Sequence, residues 1–112
     1  MSAVALKERL RADLKAAMQA RATDDVRLLR TLIAAVDNAE AVPGEQKNIQ
    51  RAFGDPGGEV ARRELDDADL AALLDREIEE RLAAASGYDA RQPDLARRLR
   101  AEAALIGGYR AG

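Results

Sequence analysis

The chain has 112 residues, the size of one ordinary domain, and 34% of them are charged although the net charge is only −2. It contains no cysteine and no histidine, which excludes disulfides, thiolate metal sites and catalytic groups that depend on imidazole. Aromatic residues make up 3% of the chain, so the composition favours an all-α protein rich in alanine and leucine over a sheet protein.

Nothing in the sequence suggests contact with a membrane. No apolar run approaches the roughly 20 residues that a spanning helix needs, and charges interrupt the first turns, where a signal peptide would be apolar. We therefore expect a soluble, cytoplasmic protein. The acidic balance also argues against a dedicated, high-affinity nucleic-acid binder.

The first forty residues predict a helical hairpin. A first helix is expected from about Ala3 to Arg21, with an apolar face formed by Leu6, Leu10, Leu14, Ala17 and Met18. A second helix is expected from about Asp24 to Glu40, with Thr23 as its N-cap. Because apolar residues cover much of its circumference, we expect the second helix at the centre of the domain, antiparallel to the first.

Residues 43–58 lose this periodicity and are rich in glycine and proline, which predicts a flexible insertion loop. Asp66 is the expected N-cap of a third helix that ends at Ser86 and Gly87. Pro93 then opens a fourth helix that is expected to end at Gly107 and Gly108. The predicted fold is a small antiparallel bundle of about four helices within a single domain, residues 1–112.

A search for catalytic groups finds none with a partner. The few hydroxyl residues have no base beside them, and no glycine-rich phosphate loop is present. The acidic run Asp66, Asp67 and Asp69 has a sufficient structural reason at the start of a helix. Glu77 and Glu80 are more simply explained as a solvated face or ion pairs than as an acid–base pair. We expect no catalytic residue, no metal and no cofactor.

The arginines are the remaining side chains that could bind a ligand, since a guanidinium pairs well with phosphate. The candidate RNA-binding residues lie on or before helix four and on the polar stripe of helix two: Arg91, Arg97, Arg98, Arg100, Arg27 and Arg30. The alternative is that these side chains serve solubility and pair with the acidic third helix, which has eight acids between Glu64 and Glu80.

Several short motifs together resemble the YqeY family, free-standing relatives of the tail of the GatB subunit of the tRNA-dependent amidotransferase. The matching stretches, in the family's order, are Leu6-Lys7-Glu8-Arg9-Leu10, Asp13-Leu14-Lys15-Ala16-Ala17-Met18, Leu29-Arg30, Asn38-Ala39-Glu40, Glu64-Leu65-Asp66-Asp67, Glu77-Ile78, Arg81, Arg91-Gln92-Pro93-Asp94-Leu95-Ala96 and Glu102. The family's long form continues into a further small helical domain, whereas in this chain Tyr109 is followed by three residues to Gly112, so we expect a short form.

The resemblance implies an all-helical fold and links the chain by homology to carbon–nitrogen ligases that use glutamine as amido donor. It implies an accessory role without catalysis, with tRNA or an amidotransferase subunit as partner. A second hypothesis is a helical protein–protein interaction or homodimerisation module that makes no contact with RNA. A third, an amide-transferring enzyme, lacks a visible nucleophile, base or ATP site.

Overall fold

A computed structural model describes residues 1–41 and 63–112, and within them the chain forms four α-helices in the order that the sequence predicts. Helix α1 spans Ala3–Gln19 and α2 spans Thr23–Glu40. Helix α3 spans Asp67–Tyr88 and α4 spans Pro93–Ala111. The all-α prediction is therefore confirmed, whereas the predicted loop at 43–58 lies outside the described residues.

Helices α1 and α2 form the expected antiparallel hairpin. Ser2 caps α1, its Oγ accepting a hydrogen bond from the Ala5 amide at 3.0 Å. The chain reverses through Arg21, which has a φ of 56°, the left-handed conformation that often ends a helix. The predicted N-cap of α2 is wrong by one residue: Ala22 occupies the cap without a side-chain hydrogen bond, and Thr23 is already helical.

The core lies mainly between this hairpin and the first half of α3. Its largest fully buried side chains are Leu6, Leu10, Leu32, Val36 and Ile106. Helix α2 contributes more buried leucines than its neighbours, but it packs chiefly on α1 and has one face in solvent. It is thus a principal core helix that is not surrounded on all sides, which corrects the expectation of a fully central position.

Helices α3 and α4 form a second antiparallel hairpin, and both are longer than predicted. A capping box starts α3, because Asp66 accepts from the Asp69 amide at 2.7 Å and Asp69 accepts from the Asp66 amide at 3.1 Å. Ser86 and Gly87 lie inside the last turn of α3. Gly107 and Gly108 do not end α4, because the following residue, Tyr109, is buried against the core and extends the helix to Ala111.

The far end of the second hairpin is packed by small residues. Ala85, Ala96 and Ala103 are buried there, and short side chains allow two helices to approach closely. Leu82 of α3 is 43% exposed although its spacing from Leu74 and Ile78 places it on the apolar stripe of that helix, and Met18 of α1 is 51% exposed. Both residues sit beyond the leucine core, so that their position on an apolar stripe does not bury them.

Candidate nucleic-acid interface

The three candidate arginines within α4, Arg97, Arg98 and Arg100, are exposed, and two of them are held by carboxylates. Arg97 donates from Nη1 to Asp94 Oδ1 at 2.9 Å. Arg100 forms a bidentate pair with Asp89, both N···O distances being 2.7 Å. The hydrogen bonds from Arg100 lower the pKa of Asp89, and the same contact raises the pKa of Arg100. Two of the four candidate arginines on or before α4 therefore have their charge balanced by a carboxylate within the α3–α4 hairpin.

The other two arginines near α4 occupy different surroundings. Arg91 stands over the ring of Tyr88 at 5.8 Å from its centroid, a cation–π distance. Arg98 borders a small groove of about 190 Å³ between α2 and α4, whose other walls include Asp24, Asp25 and Leu105. This groove is acidic on its α2 side, so it is poorly suited to an anion.

The two candidate arginines of α2 lie on its solvent face. Arg27 is 3.9 Å from Asp24, a loose and exposed pair, while Arg30 has no ion-pair partner among the described residues. Both line a shallow groove of about 470 Å³ along α2, together with Val26, Thr31 and Ala34. The structure thus divides the six predicted residues between two separate surfaces, one on α4 and one on α2.

The charged residues that are most buried serve the fold. Lys7 of α1 donates to Glu40 Oε1 at 2.6 Å and to Asp37 Oδ1 at 3.3 Å of α2. The Lys7 and Glu40 side chains are only 13% and 11% exposed. The hydrogen bond from Lys7 to Glu40 is the main reason that the pKa of Lys7 is raised, against the opposing effect of desolvation. This contact fixes the antiparallel register of the first hairpin.

A similar contact ties the second hairpin together. Arg81 of α3 donates to Glu77 Oε1 at 2.9 Å and to Glu102 Oε1 of α4 at 3.2 Å. Glu77, one of the two carboxylates weighed as an acid–base pair, is therefore occupied by a guanidinium on its own helix. Asp67, from the acidic run, pairs with the N-terminal amine at 2.9 Å. Within residues 1–41 and 63–112 no cluster of acidic residues has the arrangement of a metal site.

Tyr109 joins the two hairpins, a role that the sequence analysis did not assign. Its hydroxyl donates a short hydrogen bond to Asp13 Oδ2 of α1, and Arg9 stands over its ring at 4.9 Å from the centroid. Burial, and next the hydrogen bond to Asp13, raise the pKa of Tyr109 well above its ordinary value. Its spacing of three residues from Ile106 places it on the apolar seam of α4, which is the one sequence signal for its burial.

A further set of cations, on α1 and in the turn after it, also escaped the sequence analysis. Arg11, Lys15 and Arg21 are exposed and have no ion-pair partner among the described residues. In the sequence they alternate with acids such as Glu8 and Asp13, which hides them from a search for charge clusters. A helical projection separates Arg11 and Lys15 from Asp13, whereas the exposed Glu8, three residues before Arg11 and seven before Lys15, lies on the same face of α1.

This fold and surface define a small helical protein with arginine-rich exposed faces and structural, paired carboxylates. The family model described as Yqey-like protein matches residues 7–111, nearly the whole chain. The chain therefore belongs to the YqeY family, as its motifs predict. No significant match is found among curated proteins or among solved structures. None of the helices in the described part of the chain has the length and apolar character to cross a bilayer.

Proposed function

We propose that this chain is a non-catalytic accessory protein of the tRNA-dependent amidation system, acting in the cytoplasm and touching tRNA through weak phosphate contacts. The observation that carries the proposal is the membership of the YqeY family over residues 7–111. The exposed arginines of α2 and α4 supply the chemistry, because a guanidinium binds phosphate oxygens in a bidentate manner. The amidotransferase itself is the second partner that this role implies.

The surroundings of the titratable groups support a role without catalysis. Catalytic groups usually have perturbed pKa values and lie in a cleft. The groups with a perturbed pKa in the described residues are Lys7, Asp89, Arg100 and Tyr109. Each makes a contact between or beside helices that explains its shift, and Tyr109 also borders a small cavity of about 150 Å³.

The test of the accessory role is an assay of the purified protein with glutamine, ATP and misacylated tRNA, alone and with an amidotransferase added. We expect no turnover by the protein alone. Turnover that a point substitution in this chain abolishes would contradict the proposal. The tRNA contact is tested by titration at several salt concentrations: phosphate contacts give an affinity that falls steeply with salt.

A second candidate function, a homodimerisation or protein-interaction module, is favoured by one observation. Leu82 and Leu105 are 43% and 38% exposed on neighbouring helices α3 and α4. Apolar association through them would survive high salt, unlike phosphate contact. Sedimentation of the unmodified protein and of Leu82→Ser at high salt distinguishes the two candidate functions. A dimer that dissociates in the Leu82→Ser variant, together with no tRNA binding at low salt, would establish the interaction module.

A further inference from the structure

We infer that the phosphate-binding surface is the outer face of the α1–α2 hairpin rather than α4. We call this surface the hairpin face, and it consists of Arg11, Lys15, Arg21, Arg27 and Arg30. The inference rests on the proposed function, and it assigns the tRNA contact to a surface that the charge clusters of the sequence do not indicate. Its ligand is the phosphodiester backbone of the RNA, recognised by charge and not by base sequence.

The geometry of α1 places its cations outward. Leu6 and Leu10 are fully buried, and at 100° per residue Arg11 and Lys15 lie on the far side of the helix from them. The two cations are four residues apart, so they are separated by about 6 Å along the axis, at a rise of about 1.5 Å per residue. Arg21 follows in the turn at the end of the same helix.

The register of the hairpin brings the cations of α2 to the same side. Lys7 contacts Asp37 at 3.3 Å, which marks the side on which the two helices meet. Arg11 follows Lys7 by one turn, and Arg30 precedes Asp37 by two turns, so both lie close to this seam on the outside of the hairpin. Since the helices are antiparallel, the start of α2 with Arg27 lies beside the end of α1.

The pairing of charges decides between the two surfaces. On α4, Arg97, Arg100 and Arg110 already pair with carboxylates at 2.7–2.9 Å, so a phosphate must compete with an existing partner. On the hairpin face, Arg11, Lys15, Arg21 and Arg30 have no ion-pair partner among the described residues. Of the nearby acids, Asp37 and Glu40 are engaged by Lys7 at the seam, Asp24 lies 3.9 Å from Arg27, and Glu8 is exposed on the same side of α1 as Arg11 and Lys15. Four of the five cations on the hairpin face therefore have no ion-pair partner among the described residues, whereas Arg98 is the one arginine of α4 without such a partner there.

The composition of the hairpin face favours a nucleic acid over an acidic protein. Protein interfaces are usually centred on aromatic or other large apolar anchors that exclude water. The described residues of this face carry no aromatic side chain, and the large exposed apolar residues of α1, Val4 and Met18, lie near the two ends of the helix and not at its middle. A face of spaced cations without an apolar centre suits a ligand whose charges are regularly spaced and which remains hydrated, as a phosphate backbone does.

The test compares two double variants that change the charge equally: Arg11→Glu/Lys15→Glu on the hairpin face and Arg97→Glu/Arg100→Glu on α4. Each is titrated with tRNA at several salt concentrations after circular dichroism has shown that it is folded. If either glutamate variant unfolds, the corresponding glutamine variants replace both. Poly-glutamate serves as a polyanion without phosphate.

We expect the unmodified protein to bind tRNA with a dissociation constant on the order of tens of micromolar at low salt, within the non-specific range. The hairpin-face variant should bind at least about tenfold more weakly and lose about 2 units of salt slope, one for each phosphate contact removed. The α4 variant should stay within about threefold of the unmodified protein, because its arginines are already paired.

Each other outcome overturns a defined part of the account. Loss in the α4 variant alone, or equal loss or retention in both, contradicts the hairpin face but leaves a tRNA-binding protein. Binding of poly-glutamate as tight as that of tRNA contradicts a nucleic-acid ligand and indicates an acidic protein. Absence of tRNA binding by the unmodified protein at low salt overturns the proposed function itself.

Discussion

The α1–α2 hairpin is held by leucines and the Lys7 contact, whereas the α3–α4 hairpin, beyond the Leu70, Leu74 and Ile106 that it contributes to the shared core, is held by alanines and ion pairs. In the first, Leu6, Leu10 and Leu32 are fully buried, and Lys7 joins the helices. In the second, Ala85, Ala96 and Ala103 are buried. The contacts between its helices there include Arg81 with Glu102 and Arg110 with Asp75. The apolar side chains buried in the first hairpin are thus larger than those buried in the outer part of the second, away from the shared core.

This difference has a consequence for the surface. A hairpin that is stabilised by leucines can leave its cations unpaired, while a hairpin that uses ion pairs neutralises the cations that it carries. The surface that is richest in arginine along the sequence is therefore not the surface with the most available positive charge. Substitutions that weaken one hairpin at a time test this comparison.

The largest expected effect is on the leucine core. Leu32→Ala removes a fully buried side chain and should lower the free energy of unfolding by about 2–5 kcal/mol. Leu82→Ala in the second hairpin is the matched control, because that side chain is 43% exposed, and it should change the free energy by less than about 0.5 kcal/mol. Urea unfolding followed by circular dichroism measures both. Similar losses at the two sites would refute the contrast between the hairpins.

The buried contact of the first hairpin should come next. Lys7→Met retains most of the apolar stem but removes the hydrogen bonds to Glu40 and Asp37. A hydrogen bond to a charged group contributes about 1.5–3 kcal/mol, so we expect a loss of about 2 kcal/mol in the free energy of unfolding. Arg97→Gln, which breaks an exposed pair on α4, is the control and should cost less. If the two substitutions lower the free energy of unfolding equally, the buried Lys7 contact stabilises the fold no more than the exposed pair does.

The junction between the hairpins should show a smaller effect. Tyr109→Phe keeps the buried ring and removes the hydrogen bond to Asp13, at an expected cost of about 1 kcal/mol in the free energy of unfolding. Because the ring remains, the contact with Arg9 is retained. A double variant with Asp13→Asn tests the coupling. Costs that simply add would show that the two side chains do not interact.

The smallest effect is confined to alkaline pH. The pKa values of Lys7 and Tyr109 are raised in the folded protein above ordinary values of 10.5 and 10.0. Both groups therefore stay protonated to a higher pH in the folded state than in the unfolded state. Their contribution to the free energy of unfolding is complete below about pH 10 and is lost as the pH rises through the raised pKa values. Unfolding measured between pH 8 and pH 11 should show stability falling only near the upper end. A fall in stability already at pH 8 would show that a group other than Lys7 and Tyr109 titrates there.

Much of the fold follows from the sequence, and the misses have physical causes. The four helices and the Asp66 cap follow from apolar periodicity and capping residues. The end of α4 was predicted too early, because each glycine costs a helix about 1 kcal/mol and the burial of Tyr109 that offsets this cost depends on α1. Met18 was placed in the core by its spacing, but it lies in the last turn of α1 and is 51% exposed.

The candidate site was only partly predictable. The arginines of α4 stand out because they are close in sequence, and their availability depends on partners such as Asp89, which is 11 residues from Arg100. Arg11 and Lys15 are hidden among acids in the sequence, and of these acids Asp13 falls on another face of the helix while Glu8 stays beside them. Whether a cation has an ion-pair partner depends on the residues that lie beside it in the folded protein, and composition and spacing do not reveal those neighbours.

The most direct test of the unequal surfaces is an NMR titration of the ¹⁵N-labelled protein with tRNA at low salt, in which the amide signals that shift or broaden first are mapped onto the helices. We predict that the earliest changes occur in residues 11–21 and 27–34, on the first hairpin. Signals of residues 94–100 should be unchanged at the same tRNA concentrations. Early changes confined to residues 94–100, with the first hairpin unaffected, would contradict the claim that unpaired cations decide where the ligand binds.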